Sequence, residues 1–456
     1  MPDTPLPATG QAYLTQAQIA AASPVAAPPS DPMSFARERM RSTGQWHALQ
    51  TLGRNHTMGC VALEITQRCN LDCTLCYLSE SAEAVHDLPL AEVFRRIDLI
   101  HAHYGDDTNV QVTGGDPTLR NRLELIAIVR RIAERGMRPS LFTNGIRATR
   151  DLLAELTEAG LVDVAFHVDT TQNRRGFTDE ASLNPLRQDY IARTRGLGLS
   201  VMFNTTVHPG NFHEVPILAR FFADRAAGVR LASFQLAAET GRGAAPAGQP
   251  IAADTVAAAL QTGAGTPINF RGLSVGHHAC NRYTMMLAAG GQVADLMRDT
   301  ILYADIMQAM EGRTLDRRRP WHCVATVVLA CCSRGRLALR LIAAFAGVLW
   351  QLRHGLIASR FRIHKISFFI HGFMGARCLE PDRIDSCSFS VMTSQGPISM
   401  CLHNAKRDDF VLRPSKGADG RWWNPLTGGF GDAEPARSPP VLTRAMHKGR
   451  TKALAS

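Results

Sequence analysis

The chain has 456 residues, 45% hydrophobic and 20% charged, an ordinary balance for a globular protein with a sizeable core. Its formal net charge of +10 points to an acidic partner: nucleic acid, an anionic membrane surface or an anionic cofactor. Eleven cysteines are too few for a disulfide scaffold at this length, and the opening MPDTPLPATGQAYLTQAQ lacks the basic-then-apolar pattern of a secretory signal. A cytoplasmic setting is therefore expected, where clustered cysteines serve metal or redox chemistry.

Residues 1–57 read as an N-terminal arm, disordered to about residue 32 because its Ala- and Pro-rich composition has little to bury. From about residue 60 strands and helices alternate. CVALEIT (60–66) is a strand and leads into a cysteine loop; LAEVFRRIDLIHAHY (90–104) has helical apolar spacing. VQVTGGD is a strand ending in glycines, and RLELIAIVRRIAERG is a helix with a glycine stop. The same alternation runs through PSLFTNG, ATRDLLAELTEAG, LVDVAFHVD, NPLRQDYIARTRG, LSVMFNTTV, FHEVPILARFFADRA and VRLASFQL.

This makes six βα-like units within residues 58–240, and such alternation predicts a parallel sheet with helices on its outer face. Six units are too few to close an eight-stranded barrel. The expected fold class is α/β: a partial (βα)6 TIM-like barrel with an α+β C-terminal extension. Sites in such architectures form at the C-terminal ends of the strands. Polar residues gather there: the cysteine loop, Gly114-Gly115-Asp116, Thr143-Asn144, His167 and Asp169, and Asn204-Thr205-Thr206.

Beyond residue 240 the alternation stops. Residues 241–320 begin with the linker GRGAAPAGQP, continue into a helix at 251–262 and contain Cys280 beside His277 and His278. Residues 321–365 form an apolar-basic helical segment, and residues 366–456 a cysteine-bearing segment and tail.

EITQRCNLDCTLCYLSE (64–80) places Cys69, Cys73 and Cys76 on one tight loop. Three thiolates can hold three corners of a cubane iron–sulfur cluster and leave one iron open. A zinc completed by a remote ligand such as His86 or His103 is the alternative at this point.

The sequence resembles the radical S-adenosylmethionine (SAM) enzymes through RCNLDCTLC directly after the first strand, TGGDP after the second and FTNG after the third. The resemblance covers roughly residues 58–240. It implies that Cys69, Cys73 and Cys76 bind a [4Fe-4S] cluster whose fourth iron is chelated by SAM. Reduction then cleaves SAM to a 5′-deoxyadenosyl radical that abstracts hydrogen from the substrate. The resemblance also implies SAM contacts from Gly114, Gly115, Asp116, Asn144, Asn204 and Tyr77, and an electron donor such as flavodoxin or ferredoxin. Two residues depart from the family pattern: Leu75 stands where an aromatic residue is common, with Tyr77 after the motif instead, and Asp116 stands where glutamate is usual. The glycines let backbone come close to a ligand. His167 is a general acid–base candidate by residue type.

In DRIDSCSFSVMTSQGPISMCLHN, Cys387 and Cys401 lie on two strand-like runs joined by a turn, so a hairpin brings them together. With Cys60 and Cys280 they form the expected ligand set of a second, auxiliary iron–sulfur cluster; buried inert cysteines are the alternative. This segment partly resembles radical SAM lipid-modifying enzymes of the tetraether-lipid synthase type. Cys323, Cys331 and Cys332 read as packing residues.

GRLALRLIAAFAGVLWQLRHGLIASRFRIHK (335–365) carries arginines beside an apolar face, and its longest charge-free run, Leu341 to Leu352, is too short to span a bilayer. It suits either a helix in a membrane interface or one packed on the barrel. The combined expectation is a radical SAM enzyme acting on a lipid, isoprenoid or other small molecule, with peripheral membrane contact and no nucleic-acid partner. A peptide-modifying radical SAM enzyme and a non-catalytic iron–sulfur redox protein are the rivals.

Overall fold

The computed structural model describes residues 12–243, 248–313, 315 and 320–436. Two helices precede the sheet. α1 (Gln16–Ala21) opens in a capping box: Thr15 Oγ1 accepts from Gln18 N at 3.2 Å, and Gln18 Oε1 accepts from Thr15 N at 2.8 Å. α2 (Pro32–Ser42) is capped by the Asp31 carboxylate. Within the arm expected to be disordered to about residue 32, the described residues 12–32 are ordered. Ile19 is buried, Leu14 N donates to Leu379 O at 2.8 Å, and Val25 N donates to Pro397 O at 2.9 Å. Its partners lie more than 350 residues away, where local composition gives no hint of them.

Six parallel strands follow in chain order: β1 (Cys60–Thr66), β2 (Asn109–Gly114), β3 (Arg138–Thr143), β4 (Asp163–His167), β5 (Ser200–Val207) and β6 (Leu231–Leu236). Between them run α3 (Leu90–Tyr104), α4 (Arg122–Glu134), α5 (Arg150–Glu158), α6 (Asn184–Thr194) and α7 (Val215–Ala223). Every residue of β1 is buried, as expected of a parallel strand covered on both faces. α3 buries Val93, Ile97, Ile100 and Tyr104, which fall on one face at 3.6 residues per turn.

α8 (Ala253–Ala264) packs on α7, and β7 (Asn281–Ala289) and β8 (Gln292–Asp295) form a hairpin. α9 (Thr300–Ala309), α10 (Pro320–Cys332), α11 (Gly335–Gln351) and α12 (Arg353–Ala358) come next. They lead into β9 (His364–Gly372), α13 (Pro381–Asp385), the hairpin β10 (Phe389–Thr393)–β11 (Gly396–Ser399), and α14 (Met400–Ala405).

The C-terminal extension completes the sheet at both edges. β9 runs parallel beside β6 and β10 runs parallel beside β1, so eight parallel strands stand where the alternation marked six. Among the described residues β9 and β10 share no backbone pairing. Rings meet across the seam instead: His371 and Phe389 stack at 5.6 Å, and Phe373 meets Phe389 edge-on at 5.7 Å. The partial barrel is thus covered at its open side by residues far outside the repeating core.

Candidate functional site

The cysteine loop lies across the C-terminal ends of the strands, tied to four of them. Gly115 N donates to Thr66 O at 2.9 Å and Asp116 N to Arg68 O at 2.8 Å, joining the loop to the end of β2. Asn144, just after β3, donates through Nδ2 to Asn70 Oδ1 at 2.6 Å and lies 4.0 Å from Cys69 Sγ. Thr74 N donates to Thr171 O at 2.8 Å beyond β4, and Gly243 N donates to Cys76 O at 2.9 Å beyond β6. The glycines at 114 and 115 are required by this closeness. A Cβ on Gly114 would lie 2.0 Å from Thr66 O, one on Gly115 2.0 Å from Arg68 O, and Gly114 has φ +125°.

Burial pushes the Cys69 thiol up to about 11 and also raises Cys73, with the neighbouring Cys76 and Asp169 charges adding to the rise at Cys73. Free thiolates at Cys69 and Cys73 are therefore unfavourable near neutral pH, and bound iron is the kind of positive charge that would stabilise them. Arg242 supplies part of that charge: its buried guanidinium hydrogen-bonds the Cys76 side chain and pairs with Glu83 at 2.9 Å. Sequence reading passed over Arg242 because it begins the stretch taken for a linker. The signal was the flanking glycines. A Cβ at Gly241 would meet Tyr77 O at 2.2 Å and one at Gly243 would meet Cys76 N at 2.5 Å, so only Gly-Arg-Gly fits against the loop.

Among the described residues no group of three or more His, Cys, Asp or Glu side chains converges on a single ion position. A cubane gives each thiolate its own iron and so tolerates a wider spread. His86 N bonds Pro425 O in the tail and His103 sits on α3 against Tyr104; the zinc alternative drew on these two.

Two of the expected SAM contacts are committed inside the protein. The Asp116 carboxylate is buried and accepts from Thr118 N at 3.0 Å, Thr118 Oγ1 at 2.5 Å, Thr143 Oγ1 at 2.8 Å and Asn144 N at 2.8 Å. Its acceptor positions are filled, so it acts by holding the end of β3 and Asn144 in place. Tyr77 Oη donates to Gly114 O at 2.6 Å while the ring stacks under Arg407 at 4.7 Å, clamping the glycine turn to the cysteine loop. Asn144 borders the cysteine loop, whereas Asn204 lies deeper, in the barrel.

There Asn204 belongs to a polar row crossing four strands. His167 pairs in register with Asn204 and Gln235 with His371; Asn204 Nδ2 reaches Gln235 Oε1 at 3.3 Å and its Oδ1 reaches His371 Nε2 at 3.4 Å. His167 Nε2 lies 2.7 Å from the buried Asp169 carboxylate. Burial alone would lower the His167 pKa, but the Asp169 charge and hydrogen bond outweigh it and raise it. Burial pushes His371 down to about 3, so it is neutral, and its Nδ1 is a buried atom with no hydrogen-bond partner. Sequence reading missed His371 because it lies 136 residues past its partner Gln235.

The remaining cysteines form a second group. Cys280 stands just before β7, Cys387 just before β10, and Cys401 in α14. Neither Cys387 nor Cys401 lies within a strand, as had been expected, but the β10–β11 hairpin between them is present. The three are close enough for their charges to act on one another: Cys387 is pushed up to about 11 by burial and then by Cys280, and Cys401 is raised by burial, Cys387 and Cys280. Arg383 Nε donates to Cys280 Sγ at 3.3 Å. Cys60, the first residue of β1, is raised by burial and by the charge of Cys387. Cys331 is buried between α9 and α11, as a packing residue would be, whereas Cys332 is exposed.

Residues 63–222 match the Radical SAM superfamily. Curated relatives include 7,8-dihydro-6-hydroxymethylpterin dimethyltransferase of Methanocaldococcus jannaschii, 28% identical over 186 residues, covering 40% of this chain and 36% of that protein. Fe-coproporphyrin III synthase of Methanosarcina barkeri is 28% identical over 201 residues, covering 42% of this chain and 46% of that protein. PqqA peptide cyclase of Methylobacterium nodulans is 30% identical over 165 residues, covering 34% and 41%. The chain thus spans less than half the length of each of these relatives. Among solved structures, the FeFe-hydrogenase maturase HydG from Carboxydothermus hydrogenoformans aligns with a TM-score of 0.35 at 13% identity, over 52% of this chain and 57% of that one.

Proposed function

We propose that the radical SAM domain at residues 63–222 makes this chain a SAM-cleaving enzyme, with Cys69, Cys73 and Cys76 as the thiolates of its [4Fe-4S] cluster. The observation that carries this reading is the loop itself: three cysteines over the strand ends, backed by a glycine turn too close for any side chain and by a buried arginine. When bound and reduced, the cluster supplies the electron that cleaves SAM and so provides a hydrogen-abstracting radical. Gly114 and Gly115 let the end of β2 pack directly on the Thr66 and Arg68 carbonyls of the loop, Asn144 offers an amide beside Cys69, and Asp116 and Tyr77 hold that edge rigid. Below it, the row His167–Asn204–Gln235–His371 presents hydrogen-bonding groups inside the barrel, where substrate would be oriented and water kept out. Cys280, Cys387 and Cys401, with Cys60 beside Cys387, are proposed ligands of an auxiliary cluster. An electron donor such as flavodoxin or ferredoxin and peripheral contact with a membrane complete the proposal.

For the substrate, a lipid or isoprenoid is favoured by the exposed apolar helices that follow the barrel core. A peptide is the second reading, favoured by the PqqA peptide cyclases among the relatives. Anaerobic reconstitution with iron and sulfide, then dithionite and SAM, should yield 5′-deoxyadenosine, and Cys73→Ala should abolish it. A reconstituted brown protein that binds SAM yet releases no 5′-deoxyadenosine would favour the non-catalytic redox protein.

A further inference from the structure

α11 is apolar on two opposite sides, with Arg336 and Arg340 on the edge between them. One side, Leu337, Leu341, Ala344 and Val348, packs against α9, α10 and the β7–β8 hairpin. The opposite stripe is open to solvent, with Leu339, Ile342 and Trp350 exposed at 69%, 66% and 69%. α10 repeats the arrangement: Val327 and Cys331 face inward, while Trp321, Val324, Val328 and Leu329 fall on one outward stripe, Trp321 at 84% exposure. A helix whose second apolar side faces solvent is unusual, and exposed apolar stripes of this extent mark a contact surface.

Two further features narrow the occupant. After α12 the chain takes a left-handed turn at Arg360 (φ +53°) and Phe361 (φ +60°), a conformation costly for a bulky residue, and it holds the Phe361 ring in solvent at 76% exposure. From residue 320 to 379 the sequence has seven arginines, one lysine and no aspartate or glutamate. Arg334, Arg336, Arg353, Arg360 and Arg362 are exposed around the apolar stripe, and Arg353 lies 4.6 Å above the Trp350 ring. A second copy docking by its own equivalent face would set arginine against arginine, and the nearest acids, Asp299 and Asp305, are already paired with Arg340. Among the described residues no helix is long and apolar enough to cross a membrane. Interfacial tryptophans, an apolar stripe and a cationic rim match the surface of an anionic bilayer.

We propose that α10–α12 dock this protein onto an anionic lipid bilayer, with Trp321, Leu329, Leu339, Ile342, Trp350 and Phe361 entering the headgroup–acyl boundary and the flanking arginines meeting lipid phosphates. This deepens the membrane part of the proposed function and does not depend on the chemistry in the barrel. Vesicle binding can therefore fail while SAM cleavage persists, and the reverse.

The test is flotation of the full chain with phosphatidylglycerol–phosphatidylcholine vesicles and with phosphatidylcholine vesicles alone. The chain should float with the anionic vesicles and be released as salt is raised. The triple variant Arg336→Gln/Arg353→Gln/Arg362→Gln, which changes exposed side chains only, should weaken binding on the order of 100-fold. Ile342→Glu/Trp350→Glu should abolish it. Failure of the parent chain to float with anionic vesicles would overturn the proposal. So would unchanged flotation of the arginine variant, or a stable dimer in solution that Ile342→Glu/Trp350→Glu dissociates and vesicles do not.

Discussion

A methyl group on Gly115 would meet the Arg68 carbonyl at 2.0 Å, just before the first loop cysteine. Gly115→Ala should therefore displace the cysteine loop and lower the iron bound there by about four atoms per chain, read by iron and sulfide analysis after reconstitution. Arg242 acts on the same loop by charge. Arg242→Ala leaves Glu83 and Asp72 without their cation, and because both carboxylates are partly solvated the loss costs about 1 kcal/mol. Its melting temperature and iron content should both fall, with Arg242→Lys restoring only part, because lysine lacks the fork that reaches Cys76 and Glu83 together. His167 gives a pH signature. Its pKa is raised in the folded state, so the pairing with Asp169 stabilises fully below the unfolded value of 6.5 and is lost as pH rises through the folded value. Between about pH 6 and pH 9 the wild-type melting temperature should drop more than that of His167→Gln; parallel slopes would refute the pairing. Of these residues, the cysteines and glycines stood out in the sequence because their spacing is local. Arg242 and His371 did not, since each acts on a partner more than 130 residues away.

At the scale of elements, the repeating core was legible because each strand and helix carries its own period. α3 begins and ends at the residues that its apolar spacing marks, and β2 ends at the first glycine of TGGD. The N-terminal arm misled for a physical reason: α1 is stabilised by a capping box and by a distant apolar cluster that takes in Ile19. Ile19→Ala should cost about 2–4 kcal/mol by chemical denaturation, and a cost near zero would mean the arm is loose in solution. Thr15→Ala should cost about 1 kcal/mol through the lost cap. β9 and β10 were invisible as barrel strands, because nothing in a run such as HKISFFIHG tells which edge it will join.

At the scale of the whole molecule, the two cysteine groups sit on different parts of one sheet: Cys69, Cys73 and Cys76 over the mouth, Cys280, Cys387 and Cys401 where the hairpins of the extension meet its edges. If both hold clusters, Cys69→Ala and Cys387→Ala should each remove about four irons and the double variant about eight, by iron and sulfide analysis. Loss in only the first would leave the second group as inert buried thiols. The sequence by itself determined the βα alternation, the cysteine loop and the glycine turn, because period, spacing and backbone crowding are properties of a few neighbouring residues. Only the tertiary structure decided that β9 and β10 extend the sheet, that Arg242 backs the thiols, that His371 joins Asn204 in the barrel, and that α10 and α11 leave an apolar face open. Each of these depends on which distant surfaces meet, and that is set by packing of the whole chain rather than by any local pattern.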